Sequence, residues 1–328
     1  MTENIPSSSR QIAIDNAKLV CLYLIMFCHI PPTEGFFHSW SYSFHVPVFF
    51  LIAGAFFSNK SSYKDFIIKN VKALLIPYLV YNTALIIISS LISIPYGLNP
   101  EKTILQPLIG MLTGLAIPGG PSWFLLALFF DRIIFKLLLD SNWTRRIIIC
   151  IILILIYLTH RHITSNPLVI FSALLGMPFM IVGYAIKDLI RKVTTIPVKV
   201  KLLAITLGIV CVPLSYINGT ADMFKGLYGE NIFLFIINGI LGSLMIICMC
   251  SFYEYTNKTF RIIIQGSLFF ICCHMMIMEY VMLTYRRLTG NIDMALSVLD
   301  KIIVTVPTLI IIIFGTILLK KYCPAIIK

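Results

Sequence analysis

The sequence predicts an all-α integral membrane protein: a bundle of about ten transmembrane helices with both termini cytoplasmic, forming one membrane-embedded domain over residues 1–328. Three observations carry this. Apolar residues make up 59% of the chain and charged ones only 12%, where soluble domains carry about 25% charged. Apolar runs long enough to cross a hydrocarbon core recur from end to end. Eighteen of the 26 Lys and Arg residues fall into alternate connecting segments, the positive-inside pattern that orients membrane chains.

The first span, 14–31, follows the short polar segment Met1 to Arg10, and no small-residue cleavage site follows it. It is therefore read as a retained span and not a removed signal peptide. The second, 44–58, opens with Phe44-His45-Val46-Pro47, and the third, 73–94, follows Lys60, Lys64, Lys69 and Lys72. The stretch 103–117 is also apolar, but counting it as a crossing would reverse every later loop and put most lysines outside. It is read as re-entrant or interfacial, ended by the turn cluster Pro118-Gly119-Gly120-Pro121. The remaining spans are 122–139, 147–159, 168–186, 202–217, 232–251, 263–284 and 302–319. The second and fifth lie near the short limit for a crossing.

With the N-terminus inside, eighteen basic residues fall in inner segments, from Arg10 through Lys136, Arg145, Arg146 and the run Lys187 to Lys201 to Lys328. Six fall outside (Lys102, Arg161, Lys225, Arg286, Arg287, Lys301), while Lys18 and Arg132 sit within spans. The net charge of +12 thus orients the chain and predicts no nucleic-acid partner; membrane lipid is the expected surrounding. The nine cysteines show no C-x-x-C pair and no zinc-like Cys/His spacing, so no metal is expected and the thiols read as small hydrophobes. No repeat, Gly-rich phosphate loop or G-x-S-x-G elbow is present.

On this topology the polar residues sort into two poles. An α-helix turns about 100° and rises about 1.5 Å per residue, so Lys18 and His29 share one face of the first span, about 16 Å apart. Asp15 lies about 40° from that stripe. A charged side chain costs about 2.5–3.5 kcal/mol at the centre of a span, which is expensive to keep for packing alone. His29, His45, Ser122, Trp123, His274 and Glu279 reach the outer half from four helices. Lys18, Lys69 and Lys72 gather at the inner side. Each has a structural alternative. A histidine can simply bond a neighbouring carbonyl, Trp123 sits at aromatic-belt depth, and lysines orient loops. Asp131 and Arg132 point about 100° apart and are each expected to pair with another helix.

At these residues the chain resembles the acyltransferase 3 family of bacterial integral-membrane O-acyltransferases, in particular its sugar O-acetylase branch. Ile14-Asp15-Asn16-Ala17-Lys18 followed by His29 is similar to the family's first-helix signature, and Phe44-His45-Val46-Pro47 through Gly54 to its second helix. Lys69-Asn70-Val71-Lys72 ahead of Pro77-Tyr78, Trp123-Phe124-Leu125, and Ser267-Leu268 with His274 resemble its later motifs. Lysines stand at positions 18, 69 and 72 where many members carry arginine; lysine keeps the charge but not the bidentate fork. The resemblance implies about ten helices, acetyl-CoA as co-substrate, a carbohydrate acceptor beyond the membrane, and a multi-pass place in the bacterial inner (plasma) membrane.

The expected site then has His29 as general base, with His274 and Asp15 in the catalytic group. Lys18, Lys69 and Lys72 would bind the donor, and His45, Ser122, Trp123 and Glu279 the acceptor. A transporter or flippase is the rival reading, against which stand the absence of repeat halves and of paired Gly/Pro-interrupted helices. A non-catalytic scaffold is disfavoured by the buried ionisable residues. Oligomeric state and the identity of the sugar are not legible.

Overall fold

The structure, a computed structural model, describes residues 9–93, 99, 101–159, 165–253, 255–290 and 296–324. Of the orienting charges, Arg161 and Lys328 lie outside them, as does the polar segment before Ser9. Among the described residues the chain is all-helical. Seven helices among the described residues are long and apolar enough to cross a membrane: Gln11–Cys28, Tyr63–Ile92, Pro167–Ala185, Val198–Ile217, Ile232–Cys250, Ser267–Thr289 and Val298–Tyr322. These make it a multi-pass membrane protein.

Helix α1 runs Ser9–Cys28, so His29 is the first residue past the helix. The last turn tightens, with Ile30 N–H donating to the Phe27 carbonyl at 3.3 Å, and Pro31 and Pro32 cannot continue it. The second expected span begins eight residues early and is broken. It forms α2 (Phe36–Phe44) and α3 (Pro47–Ala55); Pro47 stands in the first turn of α3, where its missing N–H costs least. The third also begins early. Lys64, Lys69 and Lys72, expected in a loop, ride on one continuous helix made of α4 (Tyr63–Asn70), a π-turn (Val71–Leu75) and α5 (Ile76–Ser93), while Lys60 precedes it. Its start is capped by Ser62, whose hydroxyl accepts from Asp65 N at 3.2 Å.

The ambiguous stretch 103–117 yields only a π-turn (Glu101–Leu105) and the eight-residue α6 (Gln106–Thr113), far short of a crossing. Next come α7 (Trp123–Asp140) and α8 (Trp143–Thr159). The first carries Asp131, Arg132, Lys136 and Asp140, and the second has 17 residues with two arginines in its first turn. The three expected spans beyond the seven fall on these two and the broken α2–α3 pair, which are not among the helices long and apolar enough to cross.

The rest of the bundle is α9 (Ile170–Ala185), a short α10 (Lys187–Arg191), α11 (Val198–Ile217), α12 (Ile232–Cys250), α13 (Lys258–Gln265), α14 (Ser267–Thr289) and α15 (Val298–Tyr322). The expected ninth span thus splits at Gly266. The tightest packings are α11 on α12, α3 on α9 and α7 on α9. At α3–α9 the backbones nearly touch: a Cβ on Gly54 would strike the Met180 carbonyl, and one on Gly183 the Leu51 carbonyl. Small residues permit this approach between membrane helices.

Charges inside the bundle are mostly paired. Arg132 donates from Nε to Asn70 Oδ1 at 2.5 Å, with its guanidinium over Phe57 and Phe66. Lys136 reaches Asn59 Oδ1 at 2.8 Å and Asp140 at 3.1 Å. Arg132 thus finds its partner on another helix, as expected. Asp131 is fully buried beside Gly176, and neither of its oxygens has a hydrogen-bond partner among the described residues.

Candidate functional site

A cavity of about 540 Å³ opens where α1 ends, α2 and α7 begin, and the segment between α11 and α12 folds over. His29, His38, Tyr42 and His45 form one wall, Trp123 and Phe124 another, and Ile271 and Met275 of α14 a third.

His29, His45 and His274 share one hydrogen-bonding device. His29 Nδ1 lies 2.5 Å from the Ile25 carbonyl, His45 Nδ1 2.6 Å from that of Ser41, and His274 Nδ1 2.8 Å from that of Phe270. A carbonyl oxygen only accepts, so each ring donates from Nδ1 to the residue four positions earlier. Each therefore carries its lone pair on Nε2. His29 is half-buried and lines the cavity. His274 is fully buried and does not line it; its ring meets that of His29 at 5.7 Å and 75°. Among the described residues its Nε2 has no partner.

On α2, His38, Tyr42 and His45 fall at positions i, i+4 and i+7, which is one helix face. Tyr42 stacks against His38 at 3.9 Å and meets the His45 ring at 4.7 Å and the His29 ring at 6.2 Å. Trp123 packs on Phe224 at 6.0 Å and 31°. The expected second-span residue His45 and the expected Trp123 are thus brought to one cavity with His29.

The other expected residues lie elsewhere. Ser122 is fully buried and is not part of the cavity wall. Asn82 donates to its hydroxyl at 2.9 Å and accepts from Gly119 N at 2.7 Å, which locks the turn that presents Trp123. Glu279 is exposed; five residues beyond His274, it points about 140° away around α14. Asp15 pairs with Lys18 at 3.2 Å, a helix length from His29. Lys69 and Lys72 line a separate shallow hollow of about 360 Å³ with Asp65, Ile68 and Ala73, and Lys18 is not in its wall. That hollow lies toward the opposite end of the bundle, since Lys72 precedes Asn82 by about 15 Å of helix.

Further contributors escaped the sequence reading: the pair His38 and Tyr42, then Asn82, and the α11–α12 segment. The i, i+4, i+7 spacing of His38, Tyr42 and His45 was the available signal for the first, masked because residues 36–43 read as loop. Among the described residues no group of three His, Cys, Asp or Glu side chains is placed to hold a metal ion.

Chemically, the cavity offers an unprotonated imidazole nitrogen beside aromatic faces and a polar rim, which suits accepting a proton from a bound hydroxyl. A family model described as an acyltransferase domain matches residues 11–320. No curated protein and no solved structure matches the chain. The match runs through every helix that contributes to the cavity and to the lysine hollow, and the chain therefore belongs to the acyltransferase 3 family of membrane acyltransferases.

Proposed function

We propose that the protein is an O-acetyltransferase of the sugar O-acetylase kind, moving an acetyl group from cytoplasmic acetyl-CoA to a hydroxyl of a surface or lipid-linked carbohydrate on the outer side of a bacterial inner membrane. The observation that carries the reading is the His29 imidazole, its Nδ1–H bonded to the Ile25 carbonyl and its ring in the wall of the cavity. The positive-inside charge pattern supports an outer position for that cavity.

Lys69 and Lys72 attract the phosphates of the donor through charge-assisted hydrogen bonds. Lys18, with Asp15 steadying it, continues the cationic path along the first helix. The thioester then lies near His29, about 16 Å above Lys18. As the acceptor oxygen attacks the thioester carbonyl, its proton passes to His29 Nε2. The tetrahedral intermediate expels the thiolate, which takes that proton back, so the acetyl ester and free CoA form with no net proton change. His274 acts as a positioning residue, its ring set against that of His29. Trp123 and His45 face the acceptor, Ser122 supports Trp123, and Glu279 lies too far round α14 for direct contact.

The test is thioester turnover. Purified protein in lipid nanodiscs, supplied with acetyl-CoA and cell-surface glycan, releases free CoA if the reading holds. No release above the protein-free rate overturns it. Mass spectrometry of surface glycans from a deletion strain and its parent then identifies the acetylated sugar.

A further inference from the structure

We propose that the segment between α11 and α12, residues 218–231, is the acceptor-recognition element, with Asp222 accepting hydrogen bonds from hydroxyls of a neutral sugar and Phe224 holding Trp123 as its stacking wall. This rests on the carbohydrate acceptor proposed above.

The segment contributes Thr220, Asp222, Met223, Phe224 and Lys225 to the cavity wall, more than any single helix. It is built to hold its shape. Asn218 closes its neck: the side-chain oxygen accepts from Asn231 N at 2.7 Å, the amide donates to the Tyr228 carbonyl at 2.8 Å, and the Asn218 carbonyl accepts from Glu230 N at 2.8 Å. Its crest is tied to the start of α9. The Phe224 carbonyl accepts from Asn166 Nδ2 at 2.6 Å and from the Ser172 hydroxyl at 3.2 Å. Ala221 and Met223 are buried where the segment meets the cavity. A recognition loop fixed at neck and crest loses little entropy when a ligand binds.

Its chemistry suits a polyhydroxylated ring. Phe224 is placed by its own pinned carbonyl and packs against Trp123, giving a flat apolar wall for the C–H face of a pyranose. Asp222 remains partly exposed at the rim and ion-pairs with Lys225 at 3.1 Å. A carboxylate has about four acceptor positions. Here Lys225 takes part of that capacity through its ammonium and its backbone N–H, leaving lone pairs for vicinal hydroxyls. The paired carboxylate and ammonium sum to no net charge, which favours a neutral sugar over a uronic acid.

The test uses the full chain in nanodiscs with Trp40→Phe and Trp143→Phe, so that Trp123 alone fluoresces. Methyl glycosides of a hexose, a 6-deoxyhexose, an N-acetylhexosamine and a hexuronic acid are titrated without acetyl-CoA. The expected result is saturable quenching by at least one neutral glycoside. Asp222→Asn, which keeps the cap on Lys225 N, should weaken it roughly tenfold or more, the scale of a hydrogen bond to a charged group. Phe224→Ala should abolish the quenching response. No saturable response, an unchanged affinity in Asp222→Asn, or binding by the hexuronic acid alone overturns the assignment. The reading it rests on fails separately: glycosides that bind but never accept acetyl refute the reaction and leave the loop as a sugar site. Acetylated glycosides with unchanged acceptor KM in Asp222→Asn refute the loop and leave the reaction.

Discussion

Replacing His29 by Gln isolates the proton-accepting role of its ring. Glutamine has similar reach and keeps an N–H able to donate to the Ile25 carbonyl, but its amide does not take up a proton at neutral pH. Losing the Nδ1–H bond to Ile25 outright, as in His29→Ala, costs about 0.5–1.5 kcal/mol of stability, too little to unfold a helical bundle whose other contacts are intact. A positioned general base contributes roughly 10²–10⁴-fold, or about 3–5 kcal/mol of barrier. The kinetic loss therefore exceeds the structural one. The assay is CoA release followed with a thiol-reactive chromophore at saturating acetyl-CoA, alongside thermal unfolding and donor affinity by calorimetry. Both variants should fall by roughly 10²-fold or more in kcat while melting near the parent temperature and binding acetyl-CoA unchanged. A Gln variant that retains more than about a tenth of kcat would show that His29 is not the base.

The remaining predictions concern the lysine hollow, the closest helix contact and the buried carboxyl of Asp131. Lys69→Gln with Lys72→Gln removes two charge-assisted contacts of about 1.5 kcal/mol each, so the KM for acetyl-CoA should rise roughly tenfold or more per lysine with kcat little changed; an unaltered KM removes the hollow from the donor site. Gly54→Ala sets a methyl against the Met180 carbonyl, and overpacking of this kind costs about 1–3 kcal/mol, partly offset by up to about 1 kcal/mol of helix propensity. Its melting temperature should fall, and a rise would contradict the close α3–α9 approach. Asp131→Leu exchanges a buried carboxyl whose oxygens have no hydrogen-bond partner among the described residues for an apolar group of similar size. Such exchanges are neutral or stabilising, so a marked loss of stability would reveal a partner for Asp131.

Helical class and membrane character were legible in the sequence because both depend on local quantities: the length of apolar runs and the alternation of charge between them. So was one local contact: Asp15 and Lys18, three residues apart on the first helix, pair at 3.2 Å. Helix limits were less legible. Ser62 starts a helix ten residues ahead of the apolar run because a cap and a π-turn let Lys64, Lys69 and Lys72 ride on it, which hydropathy does not register. What only the tertiary structure decided is which polar groups meet. His29 and His274 are 245 residues apart in sequence, yet their rings touch at 5.7 Å. Ser122 is committed to Asn82 and Glu279 faces outward, so an equal depth in the membrane did not make them part of one wall. The segment 218–231 reads as an ordinary Gly- and Asn-containing connection until Asn166 and Ser172 fasten Phe224 above the cavity. Periodicity gives each residue a depth and a facing direction on its own helix. The rotation of one helix against another is set by side-chain packing and close contacts such as Gly54 against Met180, and these arise only when distant segments come together.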